Sequence, residues 1–178
     1  ISNTMDSSIT SVVENYPNLL QPLQIISLND SLIAISCSGY NSDIKGQIQI
    51  WNIESMQIVS KYEFDDKSIP WHLVKSPLSN EIFVALGGMN GDGGIAALIY
   101  SANAISLKWI FLDDNYENFH GITTDSEGEK IYVTSRGNDY LYQFKNMNEN
   151  GNLLNSIPLG SAGQIVNPGG ISIMQGNC

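Results

Sequence analysis

Apolar residues in this chain come in short runs, often alternating with polar ones and separated by turn residues. The first set is Leu23–Ser27, Leu32–Cys37, Gln47–Asn52 and Ile58–Phe64. A second set is His72–Lys75, Ile82–Leu86, Ile95–Tyr100 and Leu107–Leu112, and a third is Gly121–Thr124, Lys130–Ser135, Tyr140–Phe144 and Leu154–Leu159. Short runs bounded by turn signals predict β-strands. Connectors such as "SEGE" and "RGND" supply the Gly and Asp that hairpin turns require. No helical i, i+3, i+4 apolar pattern persists, so the chain reads as all-β.

The three sets are copies of one unit. "PLQIISLNDSLIAISCSG" from Pro22, "PWHLVKSPLSNEIFVALGG" from Pro70 and "FHGITTDSEGEKIYVTSRG" from Phe119 can be aligned throughout, and Gly39, Gly88 and Gly137 recur every 49 residues. Trp51 and Tyr100 keep the same spacing, and Pro168 opens a fourth copy, "PGGISIMQGNC". A period of about 40–50 residues made of four short strands predicts β-propeller blades. The expected blades are 22–64, 70–112 and 119–159, within a single partial propeller over 1–178. Residues 168–174 would begin a further blade, and 9–13 would be the outer strand of a preceding one. Propellers generally have at least four blades, so the remainder is expected in sequence beyond this stretch, at least on its N-terminal side. The opening on Ile1, with neither an initiator Met nor a signal-like leader, fits a processed chain or a fragment.

The third unit resembles the YVTN-type β-propeller repeat. The matching residues are His120-Gly121-Ile122, the turn Asp125-Ser126-Glu127-Gly128, and Ile131-Tyr132-Val133-Thr134. The resemblance is looser in the other two units but extends over nearly all of 22–174. It implies the propeller fold and, among its members, many secreted or periplasmic binding and scaffold proteins. A smaller set are lactonase-like or redox-enzyme propellers.

Four antiparallel strands a to d reverse direction at each step, so the b–c and d–a connections share one face of the disc. That face is expected to collect Asn41, Asp43, Asn90, Asp92 and Arg136 from b–c loops. From d–a connections it collects Asp65, Asp66, Asp113, Asp114, Trp71 and His120. Loops held by a rigid scaffold commonly carry binding residues. The loops "GYNSDIKG" and "GGMNGDGG" align Asn41 with Asn90 and Asp43 with Asp92. These hard oxygen donors suit Ca²⁺, although the pattern lacks a bidentate acid and full ligand spacing. They read first as polar hairpin residues and only secondarily as metal ligands, and no cofactor is otherwise expected.

His72 and His120 occupy neighbouring, not equivalent, repeat positions. Because adjacent strand residues face opposite ways, a shared two-His metal site is not the expected geometry, and hydrogen bonding at the strand start is. Arg136 stands where the other units have Ser38 and Gly87, so it either clamps a carboxylate or phosphate or pairs with a nearby acid. Trp71, at a strand entrance near the channel mouth, could stack on a ligand. Trp51, Tyr100, Tyr132 and Tyr142 read as packing between blades.

Charge narrows the function. The 178 residues carry 8 Lys+Arg against 18 Asp+Glu, a net charge of -10. Phosphate backbones are held by clustered cations, so nucleic acid is excluded as a partner. No run approaches the roughly 20 apolar residues of a membrane-spanning helix. Two cysteines, Cys37 and Cys178, make no disulfide framework. Ser135 and Ser161 lack a nucleophile elbow, and the glycine-rich "GGMNGDGG" joins strands without opening a phosphate-binding helix. The expected function is a non-catalytic, extracytoplasmic binding or scaffold module that engages a protein or surface ligand through the b–c/d–a face. The alternatives are a lactonase-like or accessory redox propeller built around His120, His72 and Arg136, or a structural subunit of a larger assembly.

Overall fold

Residues 21–39, 45–64, 68–88, 92–146, 152–160 and 168–173 are described by a computed structural model, with the backbone alone at 92, 114, 117 and 152. They form three four-stranded antiparallel meanders. Blade 1 contains β1 (Pro22–Ser27), β2 (Leu32–Cys37), β3 (Gln47–Asn52) and β4 (Gln57–Glu63). Blade 2 contains β5 (Ser68–Lys75), β6 (Glu81–Gly88), β7 (Asp92–Tyr100) and β8 (Ile105–Glu117). Blade 3 contains β9 (Phe119–Thr124), β10 (Lys130–Ser135), β11 (Tyr140–Lys145) and β12 (Asn152–Pro158). The first strands, β1, β5 and β9, lie beside one another, each blade packing on the next. No helix among the described residues is long and apolar enough to cross a membrane.

Period-two alternation sends alternate residues of the middle strands to opposite neighbours. Blade 2 therefore supplies Ile82, Val84, Leu86, Ala96, Leu98 and Tyr100 to a core shared with blade 1. It supplies Phe83, Ala85, Ile95, Ala97 and Trp109 to a core shared with blade 3, where Tyr142 and Phe144 complete an aromatic cluster. Trp51 packs with Ile35 and Cys37 on the far side of blade 1. Tyr132 is half-buried, and its hydroxyl accepts a hydrogen bond from Gln143 within blade 3. Glu81 ties blades 2 and 3 at their rim, binding Lys108 of its own blade and accepting from Asn146 Nδ2 of the next at 3.1 Å.

Two segments read as loops are strand. β7 begins at Asp92 and β8 continues to Glu117, so Asp113 and Asp114 lie in β8, with Asp113 opposite Gly93. The glycines explain the misreading: a Cβ on Gly94 would sit 2.7 Å from the Phe111 carbonyl oxygen, and one on Gly93 2.7 Å from that of Tyr116. Gly in a strand often marks such a close backbone approach.

One irregularity recurs in every blade. Pro22 pairs with Cys37 but Gln24 with Ser36; Pro70 pairs with Leu86 but Leu73 with Val84; Phe119 pairs with Ser135 but Ile122 with Val133. Each innermost strand thus carries one extra residue just after it begins, at Leu23, Trp71 and His120. A β-bulge bends its strand and re-aims side chains.

Candidate functional site at the inner-strand bulges

In blades 1 and 3 a hydroxyl fixes the bulge to the segment that follows. In blade 1, Ser36 Oγ accepts from Gln24 N at 3.2 Å and donates to the Trp71 carbonyl at 3.1 Å. In blade 3, Thr134 Oγ1 accepts from Gly121 N at 3.0 Å and donates to the Gly169 carbonyl at 2.9 Å. Ser36 and Thr134 are equivalent residues two repeats apart, as are Trp71 and Gly169. The 168–173 segment carries no assigned strand, yet Gly169 occupies the bulge position of a following blade. Blade 2 has Ala85 in place of the hydroxyl. There the His72 imidazole hydrogen-bonds to the backbone of His120 instead.

The bulges overturn the expectation that the two histidines stay apart. Their rings meet edge-on with centroids 4.5 Å apart, and Trp71 lies 5.2 Å from His120 on a tilted plane. Strict alternation would have separated them; one extra residue per strand removes that constraint. Burial lowers the His72 pKa, opposed by its bond to His120. Burial is also the main cause holding His120 down at about 4, reinforced by the nearby His72 and Arg136 and opposed by a hydrogen bond with the Gly169 backbone. His120 is therefore neutral at pH 7, and its Nδ1 is buried with no hydrogen-bond partner among the described residues.

Beside this cluster lies a cleft of about 270 Å³ lined by Trp71, Asn118, His120 and Arg136. Arg136 follows β10 on the b–c hairpin, and Asn118 lies between β8 and β9 on the d–a connection. The cleft therefore opens on the face expected to carry binding loops. Arg136 N donates to the Asn118 carbonyl at 3.1 Å, just as Ser38 N donates to Gln21 in blade 1. That bond accompanies a left-handed turn, with φ at 45° for Asn118 and 52° for Gln21. Asn adopts this conformation more readily than most residues. Gly87 makes room for the indole, because a Cβ there would come within 2.8 Å of the Trp71 ring and 3.4 Å of Asn118 Oδ1.

Among the described residues, Arg136 makes no ion pair; the pairs present are Lys61–Glu63 and Lys108–Glu81. Of the sequence candidates, Trp71, His120 and Arg136 line the cleft and His72 stands behind His120. Asn118 was missed, since its role depends on a left-handed turn that no motif announces. Asn41, Asp43, Asn90, Asp65, Asp66 and Cys178 lie outside the described residues, as does the strand expected at 9–13. Asp92 is at the start of β7. No group of three or more His, Cys, Asp or Glu among the described residues is placed to hold a metal ion.

No family model and no curated protein matches the sequence. Solved structures match the fold. The β-propeller domain of Cps50 (Swd1) from Myceliophteria thermophila aligns with a TM-score of 0.63 at 15% identity, covering 84% of this chain and 46% of that one. A hypothetical selenium-binding protein from Sulfolobus tokodaii aligns at 0.62 and 10% identity, covering 78% and 39%. Hydrazine synthase from Kuenenia stuttgartiensis aligns at 0.54 and 17% identity, covering 67% and 38%. The chain is an all-β protein of β-propeller fold, and it spans less than half the length of these structures.

Proposed function

We propose that the chain is part of a β-propeller binding module whose b–c/d–a face engages a protein or surface ligand without chemical turnover. The observation that carries this reading is the cleft between the bulges of blades 2 and 3, where Arg136 projects with no ion pair among the described residues. Its lining of Trp71, Asn118, His120 and Arg136 offers a flat apolar wall, hydrogen-bonding groups and one cation. Such a lining suits recognition. Among the described residues the lining includes no hydroxyl or thiol nucleophile, and its one candidate base, His120, has its pKa held at about 4, which makes it a weak one. In this reading the site of action is extracytoplasmic, supported by the resemblance of the third unit to YVTN-type repeats and by the charge of -10. The remaining blades, in this reading, come from sequence beyond the 178 residues.

Labelled protein applied to peptide and glycan arrays tests the face. Arg136→Glu should abolish the array signal, whereas Glu127→Lys, in a turn on the opposite face, should leave it unchanged. Equal loss from both variants would remove the support for a loop-face site. Lactone hydrolysis, or one tightly held metal per chain by elemental analysis, would favour an enzyme instead.

A further inference from the structure

Resting on the binding role proposed above, we infer that the cleft takes the carboxylate of a small flat monoanion, clamped by Arg136 with its planar body against Trp71. Blade comparison isolates the cation. Blade 1 has Gln21 and Ser38 at the positions of Asn118 and Arg136, and there the pair satisfies itself, Ser38 Oγ donating to Gln21 Oε1 at 2.9 Å. In blade 3 the same backbone link is kept, but both side chains line the cleft. The repeat architecture accounts for the backbone there and leaves the guanidinium without a structural partner among the described residues.

Charge and shape select the ligand. A guanidinium presents a planar fork that matches a carboxylate through two parallel hydrogen bonds. His120 is neutral at pH 7, so it can add a hydrogen bond but no second charge. One cation balances one anion. A dianionic phosphate would keep a charge uncompensated on a protein already at -10. The volume of about 270 Å³ is at the small end for ligand pockets and suits a ring bearing a carboxylate better than a nucleotide. Gly87 and the Ser36 link to the Trp71 carbonyl set the indole in place, which limits the ordering cost of binding.

Sodium benzoate titrated into the full chain, followed by calorimetry and by backbone amide shifts, is the test. Saturable binding with a Kd of about 1 mM or tighter is expected. Arg136→Ser installs the blade 1 residue and should weaken benzoate about ten-fold or more with an unchanged melting temperature. Arg136→Lys, which keeps the charge but not the fork, should fall between. Trp71→Leu, the blade 1 residue at the bulge, should weaken benzoate more than acetate. A peptide ending in a free Phe carboxylate that displaces benzoate, while its amide does not, assigns the carboxylate to a chain terminus. Benzoate binding that neither peptide affects assigns it to free acids, and either result supports the carboxylate site. Absence of saturable benzoate binding, an affinity indifferent to Arg136→Ser, or tighter binding of inorganic phosphate would overturn it. The wider binding role would survive that failure if Arg136→Glu alone still abolished array recognition.

Discussion

In blades 1 and 3 a single hydroxyl ties the inner strand to the segment that follows, and its removal has a calculable cost. Thr134→Val would leave the Gly121 N–H without the hydroxyl it donates to, while the Gly169 backbone would keep its bond to His120. Losing a partner for a buried polar group costs about 1–3 kcal/mol, so the urea midpoint should fall accordingly. Ala85→Ser is the converse experiment. It places a hydroxyl near the His120 backbone, and the same denaturation should show no loss or a gain of about 1 kcal/mol. His120 adds a pH signature. Its folded pKa of about 4 lies below the ordinary 6.5, so between those values the unfolded chain binds a proton that the folded chain refuses. Stability from this group is full above about pH 6.5, declines as pH falls towards 4, and then levels off. Urea midpoints at pH 7.5 and 4.5 should therefore draw closer in His120→Gln than in the wild type, while His72 continues to pull in the same direction.

At the scale of the strand, the inner-strand bulge decides what the cleft can be. Twelve strands and their grouping were legible because the apolar alternation repeats every 49 residues and because Gly39, Gly88 and Gly137 keep time with it. The bulge was not legible for a related reason. An irregularity present in every copy leaves the copies aligned, so comparing them reveals nothing, and only the pairing of Pro22, Pro70 and Phe119 with their partners exposes it. Arg136 was readable as a candidate because it breaks the repeat and Trp71 because it stands at a strand entrance near the channel mouth, whereas the meeting of His72 with His120 was not. Gly121 lets the following segment come close. A Cβ there would lie 2.8 Å from Thr134 Oγ1 and 3.1 Å from Ile171 N. Gly121→Ala should accordingly speed amide hydrogen exchange through 168–173, with β5 to β8 unaffected; uniform protection in both regions would contradict this packing account.

For the molecule as a whole, one residue measures what a neighbouring blade contributes. Ile25, Leu73 and Ile122 oppose Ile35, Val84 and Val133, which keep the 49-residue spacing. Leu73 is 2% and Ile122 5% exposed, each covered by the blade before it, while Ile25 is 60% exposed. Covering a side chain of this size contributes about 1.5–3 kcal/mol. Ile25→Cys should react quickly with a maleimide in the 178-residue chain and much more slowly in any longer form that adds a blade against β1. Equal rates would mean that this edge is a free surface in both.

The Thr134–Gly169 contact has a consequence for how such proteins grow. A six-residue stretch meets blade 3 through main-chain groups, with open space where a side chain on Gly169 or Gly170 would stand, so almost any sequence could take that berth. A joint with so few demands tolerates duplication: a copied blade arrives with its docking terms already met, and the number of blades can change without redesign of the seam.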